Sequence, residues 1–220
     1  MAKGTAEIGD ARDLDALLAG YAGGSLSAPL HALVSGHLAM NRSARRFVAA
    51  LEAAGSAELE ALAPTPVNDR DGKLAAIFGL EPITLPARGE TRPCRTMLPE
   101  PLRRYLGREP AEADWRVLMP GVRQFQVERA GDCEAAFYWL EAGRAVPQHR
   151  HAGIEITLVL DGAFADGGTV YGPGEVALAD EAVEHSPVAD GRRGCLCFTV
   201  TEGPVRLTGP VGLLHQLLRP

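Results

Sequence analysis

From Asp114 onward the chain changes texture, and this change constrains its fold more than any other feature. Seven short runs, "WRVLM", "VRQFQVE", "AAFYWLE", "EITLVLDG", "GTVYG", "EVALA" and "CLCFTVTEG", follow one another between turns of glycine, proline and aspartate. Runs of that length, rich in β-branched and aromatic residues, read as strands. Many short strands in series settle their edges by pairing into a sandwich or barrel.

The first sixty residues carry a different period. Leu14, Leu17, Leu18 and Tyr21 fall at i, i+3, i+4 and i+7 behind Asp13 as a cap, and the Gly23-Gly24 pair stops that helix. Ser27 caps a second helix with Leu30, Leu33, Val34 and Leu38 as its apolar stripe, and a third runs from about Ser43 to Ala54 around Phe47 and Leu51. Three helices of this size bury little area alone, so the bundle must lean on a partner or on the rest of the chain.

Between the two textures lie Pro64, Pro66, Pro82, Pro86, Pro93 and Pro99, with one helix-like piece, "DRDGKLAAIFGL". That composition reads as a linker. A further short helix is expected at "PEPLRRYLG", and another in the tail "VGLLHQLLRP". The division is therefore a helical domain over 1–62, a proline-rich linker with short helices over 63–111, and a β-rich domain over 112–220.

Charge and cysteine content narrow the function classes. The formal net charge is -6, with 8 basic and 11 acidic side chains in residues 1–90 and 14 and 17 in residues 91–220. Neither half is a basic platform, so direct nucleic-acid binding is not expected. No apolar run approaches the roughly 18 residues that span a bilayer, which predicts no membrane association and a cytoplasmic protein. Four cysteines, unevenly spaced, do not make a secreted disulfide framework, and reduced thiols are the expectation.

The chemistry concentrates in "GRAVPQHRHAGIEITLVLDG", residues 143–162. His149 and His151 are two apart and share one face of a strand, and Glu155 keeps the even spacing once Gly153 has bent the backbone. The fourth group should come from another strand, and His185, about 30 residues on after the turn "YGPGE", is the natural candidate. Three imidazoles and a carboxylate suit zinc, ferrous iron, manganese or nickel. A single histidine on a strand is more often a satisfied polar residue than a ligand. A facing set without a metal would instead leave buried polar groups costing about 1–3 kcal/mol each.

The spacing Gly143, five residues, His149, one, His151, three, Glu155, six, Gly162 matches the first cupin motif at every interval, and "YGPGEVALADEAVEH" resembles the second, without the asparagine that often follows its histidine. The resemblance implies an α+β chain: a small amino-terminal helical bundle followed by a cupin (double-stranded β-helix, jelly-roll) barrel over about 112–207, with metal ligands His149, His151, Glu155 and His185. The flanks "LLAGYAGGSLS", "LVSGHLAM", "LPEPLRRYLG", "MPGVRQ", "VEHSPVADG" and "GCLCFTVTEG" resemble ChrR-type anti-sigma factors over nearly the full length. That resemblance implies a helical domain that grips an extracytoplasmic-function sigma factor, and a cupin domain that senses oxidative signals. One divalent ion per chain is expected in the barrel, zinc first, with iron, manganese or nickel as alternatives. A homodimer is compatible with the sequence.

One departure stands out. The family's helical domain usually binds zinc through an upstream histidine and a His, three residues, Cys, two residues, Cys run. Here those positions read Arg12, then His37, Asn41 and Ala44. One histidine cannot hold structural zinc, so none is expected there, and His37 is read as a surface or boundary residue, like His31 and His215.

Cys195 and Cys197 face one side of a strand with Leu196 on the other, where a regular strand holds them too far apart for an easy disulfide. They are read as core residues, with oxidation or extra metal binding as the alternative. Cys94 falls in the linker. The competing functional reading is a small-molecule metal-dependent cupin enzyme, a dioxygenase or isomerase, whose pocket would draw on Tyr138, Gln126 or Arg123.

Overall fold

The computed structural model describes residues 11–81, 98–107 and 115–209. Its helices are α1 (Ala11–Ala22), α2 (Ala28–Met40), α3 (Arg42–Ala61), α4 (Arg70–Phe78) and α5 (Glu100–Leu106). Twelve strands follow: β1 (Arg116–Met119), β2 (Val122–Ala130), β3 (Cys133–Leu140), β4 (His149–His151), β5 (Glu155–Gly162), β6 (Phe164–Asp166), β7 (Thr169–Tyr171), β8 (Val176–Ala179), β9 (Glu184–His185), β10 (Val188–Ala189), β11 (Cys195–Glu202) and β12 (Val205–Leu207). All seven strand-like runs of the sequence are strands. The expected tail helix and Cys94 lie outside the described residues.

The helix ends follow local chemistry. Proline in the first turn of α2 and of α5 spends no needed donor, and Gly107, at φ 70, closes α5 in the left-handed conformation that favours glycine. Asn41 separates α2 from α3: its side-chain oxygen accepts from the backbone N–H of Ser43 and of Ala44, both at 3.1 Å. So capped, α3 runs to Ala61, seven residues past the end that its apolar stripe implied.

Six strands form one antiparallel sheet in the order β1-β2-β3-β11-β5-β8, and two three-stranded sheets, β10-β6-β7 and β12-β4-β9, make up the remaining β-structure. Because successive side chains alternate, the large sheet has two unlike faces. One carries Phe137, Phe198, Leu158, Ile156, Val200 and Leu196, which share a core with Leu18, Leu33, Val34 and Leu102 of the helices. The other carries Val122, Leu140, Val159, Cys195 and Cys197, with Phe164 and Ala189 from the opposing sheet.

The helical bundle thus leans on the barrel, as its small size requires. α2 packs on β5 and β11, and α1 on β8. Gly36 makes the close approach possible, since a Cβ there would stand 3.1 Å from Leu102 and from Leu158. His37 corrects the expectation of a boundary residue: it is 2% exposed, and its Nδ1 lies 2.7 Å from the carbonyl of Gly174 in the β7–β8 turn. Burial holds its imidazole below the usual histidine range against the pull of that hydrogen bond. A position that the resemblance gives to zinc therefore fastens helix to barrel. The helices and the barrel share one core, so replacing Leu33 by alanine should cost about 2–5 kcal/mol. Urea unfolding followed by far-UV and tryptophan signals should remain one transition, and separate transitions for helices and barrel would contradict the shared core.

Candidate metal centre

Two sheets build the site. His149 and His151 stand on β4, and His185 on β9 is paired directly opposite His149. Glu155 is not a continuation of the same strand: it opens β5 in the large sheet, opposite Ala179 and Thr201. The chain crosses between sheets at 152–154. A Cβ on Gly153 would lie 2.6 Å from the carbonyl oxygen of Glu202, so only glycine passes there undisturbed. Even spacing alone does not align Glu155 with the histidines; the crossing does.

The four sequence-predicted residues come together, with one possible ligand atom from each within 4.8 Å of all the others. His151 Nε2 is 3.0 Å from His185 Nε2 and 3.3 Å from Glu155 Oε2, and His185 Nε2 is 3.8 Å from Glu155 Oε1. All three histidines are buried. Thr201 donates to Glu155 Oε2 at 3.4 Å.

The donor set fits a cation. His149 Nδ1 lies 2.8 Å from the carbonyl of Pro147 and His185 Nδ1 lies 2.6 Å from Asp166 Oδ2, so each of these nitrogens carries the proton in a neutral ring. Their Nε2 atoms are then bare lone pairs converging on one another and on a carboxylate. Acceptors packed this closely repel unless a positive charge lies between them, and a divalent metal supplies it. Buried His151 Nδ1 has no hydrogen-bond partner among the described residues.

Protonation follows the same geometry. Burial, followed by the neighbouring rings, pushes His149 down to about 4 and His151 down to about 3, so both are neutral at physiological pH. Burial also works against a charged His185, but the hydrogen bond to Asp166 and the charges of Glu155 and Asp166 outweigh it and raise its pKa. Burial raises Glu155 as well.

Around the cluster a cavity of about 550 Å³ opens on the inner face of the large sheet. Thr157 and Thr199, hydroxyls 3.0 Å apart, line it, as do Gln124, Tyr138 and Cys197. Gln124 Nε2 donates to the Tyr138 hydroxyl at 2.8 Å and to Glu134 Oε1, and Glu134 is also paired with Arg129. Burial and the Glu155 charge hold Tyr138 up at about 12, so its hydroxyl keeps its proton as a donor. Cys195 and Cys197 are buried free thiols, and contact with Cys195 together with burial raises the Cys197 pKa well above the usual thiol range.

Of the pocket residues expected from sequence, Tyr138 lines the cavity, whereas Gln126 is exposed and Arg123 reaches outward to Glu141 at 3.8 Å. Gln124, two residues earlier on the same face of β2, is the one that lines the cavity, and the regular pairing of β2 with β3 is interrupted just after Gln126. Asp166 also escaped notice, because an aspartate before Gly167-Gly168 reads as turn chemistry and β6 is too short to show alternation.

Comparisons with known proteins agree on one relationship. Residues 105–206 match the model of the ChrR cupin-like domain. The chain is 35% identical over 206 residues to the anti-sigma-E factor ChrR of Cereibacter sphaeroides, covering 94% of each. The crystal structure of Rhodobacter sphaeroides SigE in complex with the anti-sigma ChrR is matched with a TM-score of 0.72 at 36% identity, over 86% of this chain and 96% of that one.

The raised His185 pKa has a measurable consequence. A ligating imidazole must lose its proton, so metal uptake at pH 6 should release a proton that His149 and His151, already neutral, do not supply. Affinity should rise with pH and level off once His185 is deprotonated. Titration calorimetry in buffers of different ionisation enthalpy checks this, and heats independent of buffer and pH would contradict it.

Proposed function

Since the chain belongs to the ChrR family of cupin-containing anti-sigma factors, we propose that it is a cytoplasmic regulator whose amino-terminal helices hold an extracytoplasmic-function sigma factor. Its barrel holds one divalent ion, zinc first, through His149, His151, Glu155 and His185, and reports oxidative stress to the helices.

The observation that carries this reading is a run of apolar side chains left exposed among the described residues. Leu59, Leu62, Val67, Ile77, Phe78 and Leu80 are all more than half exposed, Phe78 at 82%, and α4 buries none of its residues. In α3 only Ala44 and Val48 are buried, so the second half of that helix gives the fold no core. Large apolar groups gathered in this way mark a partner surface. The relative's complex with SigE indicates which partner it suits. Glu52, Glu58 and Glu60 lie on the same exposed stretch, and a protein that positions polymerase on DNA offers basic surface to meet them.

The bound ion would supply a Lewis-acid centre inside the barrel. The residues around it divide the remaining work: Tyr138 presents a protonated hydroxyl, Gln124 orients that hydroxyl, and Thr157 and Thr199 satisfy one another across the floor. A continuous set of contacts leads from there to the helices. β5 carries Glu155, Val159 on the same strand accepts from the Gly174 N–H at 2.8 Å, and the Gly174 carbonyl meets His37 of α2. A change at Glu155 thus has a path to the sigma-binding helices.

The test is binding to the extracytoplasmic-function sigma factors of the source organism. Replacing Ile77 and Phe78 by aspartate should weaken capture of the cognate factor by a hundredfold or more. Metal content and unfolding midpoint should stay unchanged. Equal capture by this variant would contradict the assignment of the surface, and failure of the wild-type chain to bind any of these factors would contradict the function.

A further inference from the structure

Among the described residues, Asp166 is a carboxylate that the four-residue cluster leaves out, and it is as enclosed as the ligands themselves. Its side chain is 5% exposed. Burying a carboxylate costs several kcal/mol unless a partner compensates. Its one close partner among the described hydrogen bonds and ion pairs is His185 Nδ1 at 2.6 Å. Asp166 ends β6, in the sheet with β7 and β10, whereas His185 stands on β9 beside β4. The contact therefore spans two sheets.

The three rings are supported unequally at the nitrogen remote from the cluster. His185 has a carboxylate, His149 has the carbonyl of Pro147, and His151 has nothing. Charge gives a second argument. Three neutral rings and Glu155 alone would leave a divalent ion with an excess positive charge in an enclosed site; a second carboxylate on the far side of His185 brings the total to neutrality.

We propose that Asp166 is the positioning residue of the metal centre: it accepts the His185 Nδ1–H, turns the bare Nε2 toward the ion, and supplies the second negative charge. This rests on the reading of the four residues as a metal site. Asp166 is not a ligand. It acts through His185, as carboxylates behind metal-bound histidines do, and such support is worth about 10–100-fold in affinity.

The experiment uses the full chain and zinc alone, with affinity measured by competition against a chromophoric chelator, and cobalt absorption as the reporter of the ligand sphere. Asp166→Asn should bind zinc 10–100-fold more weakly while its cobalt spectrum keeps the wild-type coordination number. Asp166→Glu, which restores the charge, should recover part of the loss and serves in place of the Asn variant if that one does not fold. Unchanged zinc affinity in Asp166→Asn, or a fall only in the unfolding midpoint of the metal-free protein, would overturn the proposal. So would a cobalt spectrum showing one ligand fewer, which would make Asp166 a ligand. A wild-type chain that takes up no zinc or cobalt would remove the site itself, an outcome distinct from the other three.

Discussion

The alternation of the six-stranded sheet is the constraint on which the rest of the structure depends. Strands β3, β5 and β11 send phenylalanine and leucine to one face, and threonine, cysteine and tyrosine with a few aliphatic residues to the other. Phe137, Leu158 and Phe198, fully buried, take the helices on the outer face. Thr157, Thr199 and Cys197 line the cavity on the inner face. A slip of one residue in β11 would put Phe198 in the cavity and Thr199 against the helices, removing helix docking and candidate site together. This is why the helical layer and the metal centre cannot be treated as independent parts.

How much of this was legible depended on what each residue answers to. The strands were legible because each carries its own short-range signal, and the four candidate ligands because their spacing is rigid: His149 and His151 must share a face, and Glu155 must follow a break. The origin of that break was not legible, since Gly153 answers to the carbonyl of Glu202, fifty residues away in sequence. Gln124 was passed over for Gln126, because residues two apart share a strand face and composition does not show which of them the cavity reaches. Asp166 was hidden by its neighbours, because Gly167-Gly168 makes it read as a turn. His37 was misjudged because a helix shows its own period and not what packs on it.

The helical domain holds its angles through its own side chains and those of the barrel. The three positions that the resemblance assigns to zinc on α2 and α3 have acquired other work. His37 bonds the barrel, Asn41 caps α3, and Ala44 joins the apolar core at 7% exposure. Arg45 adds to this by donating to the carbonyls of Leu38 and Ala39 at the end of α2. A helix cap inside the bundle and a hydrogen bond out of it fix these helices. The helices are thereby tied to the barrel that carries the candidate metal site.

Three imidazoles and one carboxylate, brought from two sheets, converge in the barrel at a spacing that fits a single ion. Elemental analysis joined to X-ray absorption at the metal edge tests it most directly. One ion per chain is expected, bound by three imidazole nitrogens and carboxylate oxygen without sulfur, and lost when His149 and His151 are both replaced by alanine. Two ions per chain, sulfur among the ligands, or an ion that survives the double replacement would contradict it.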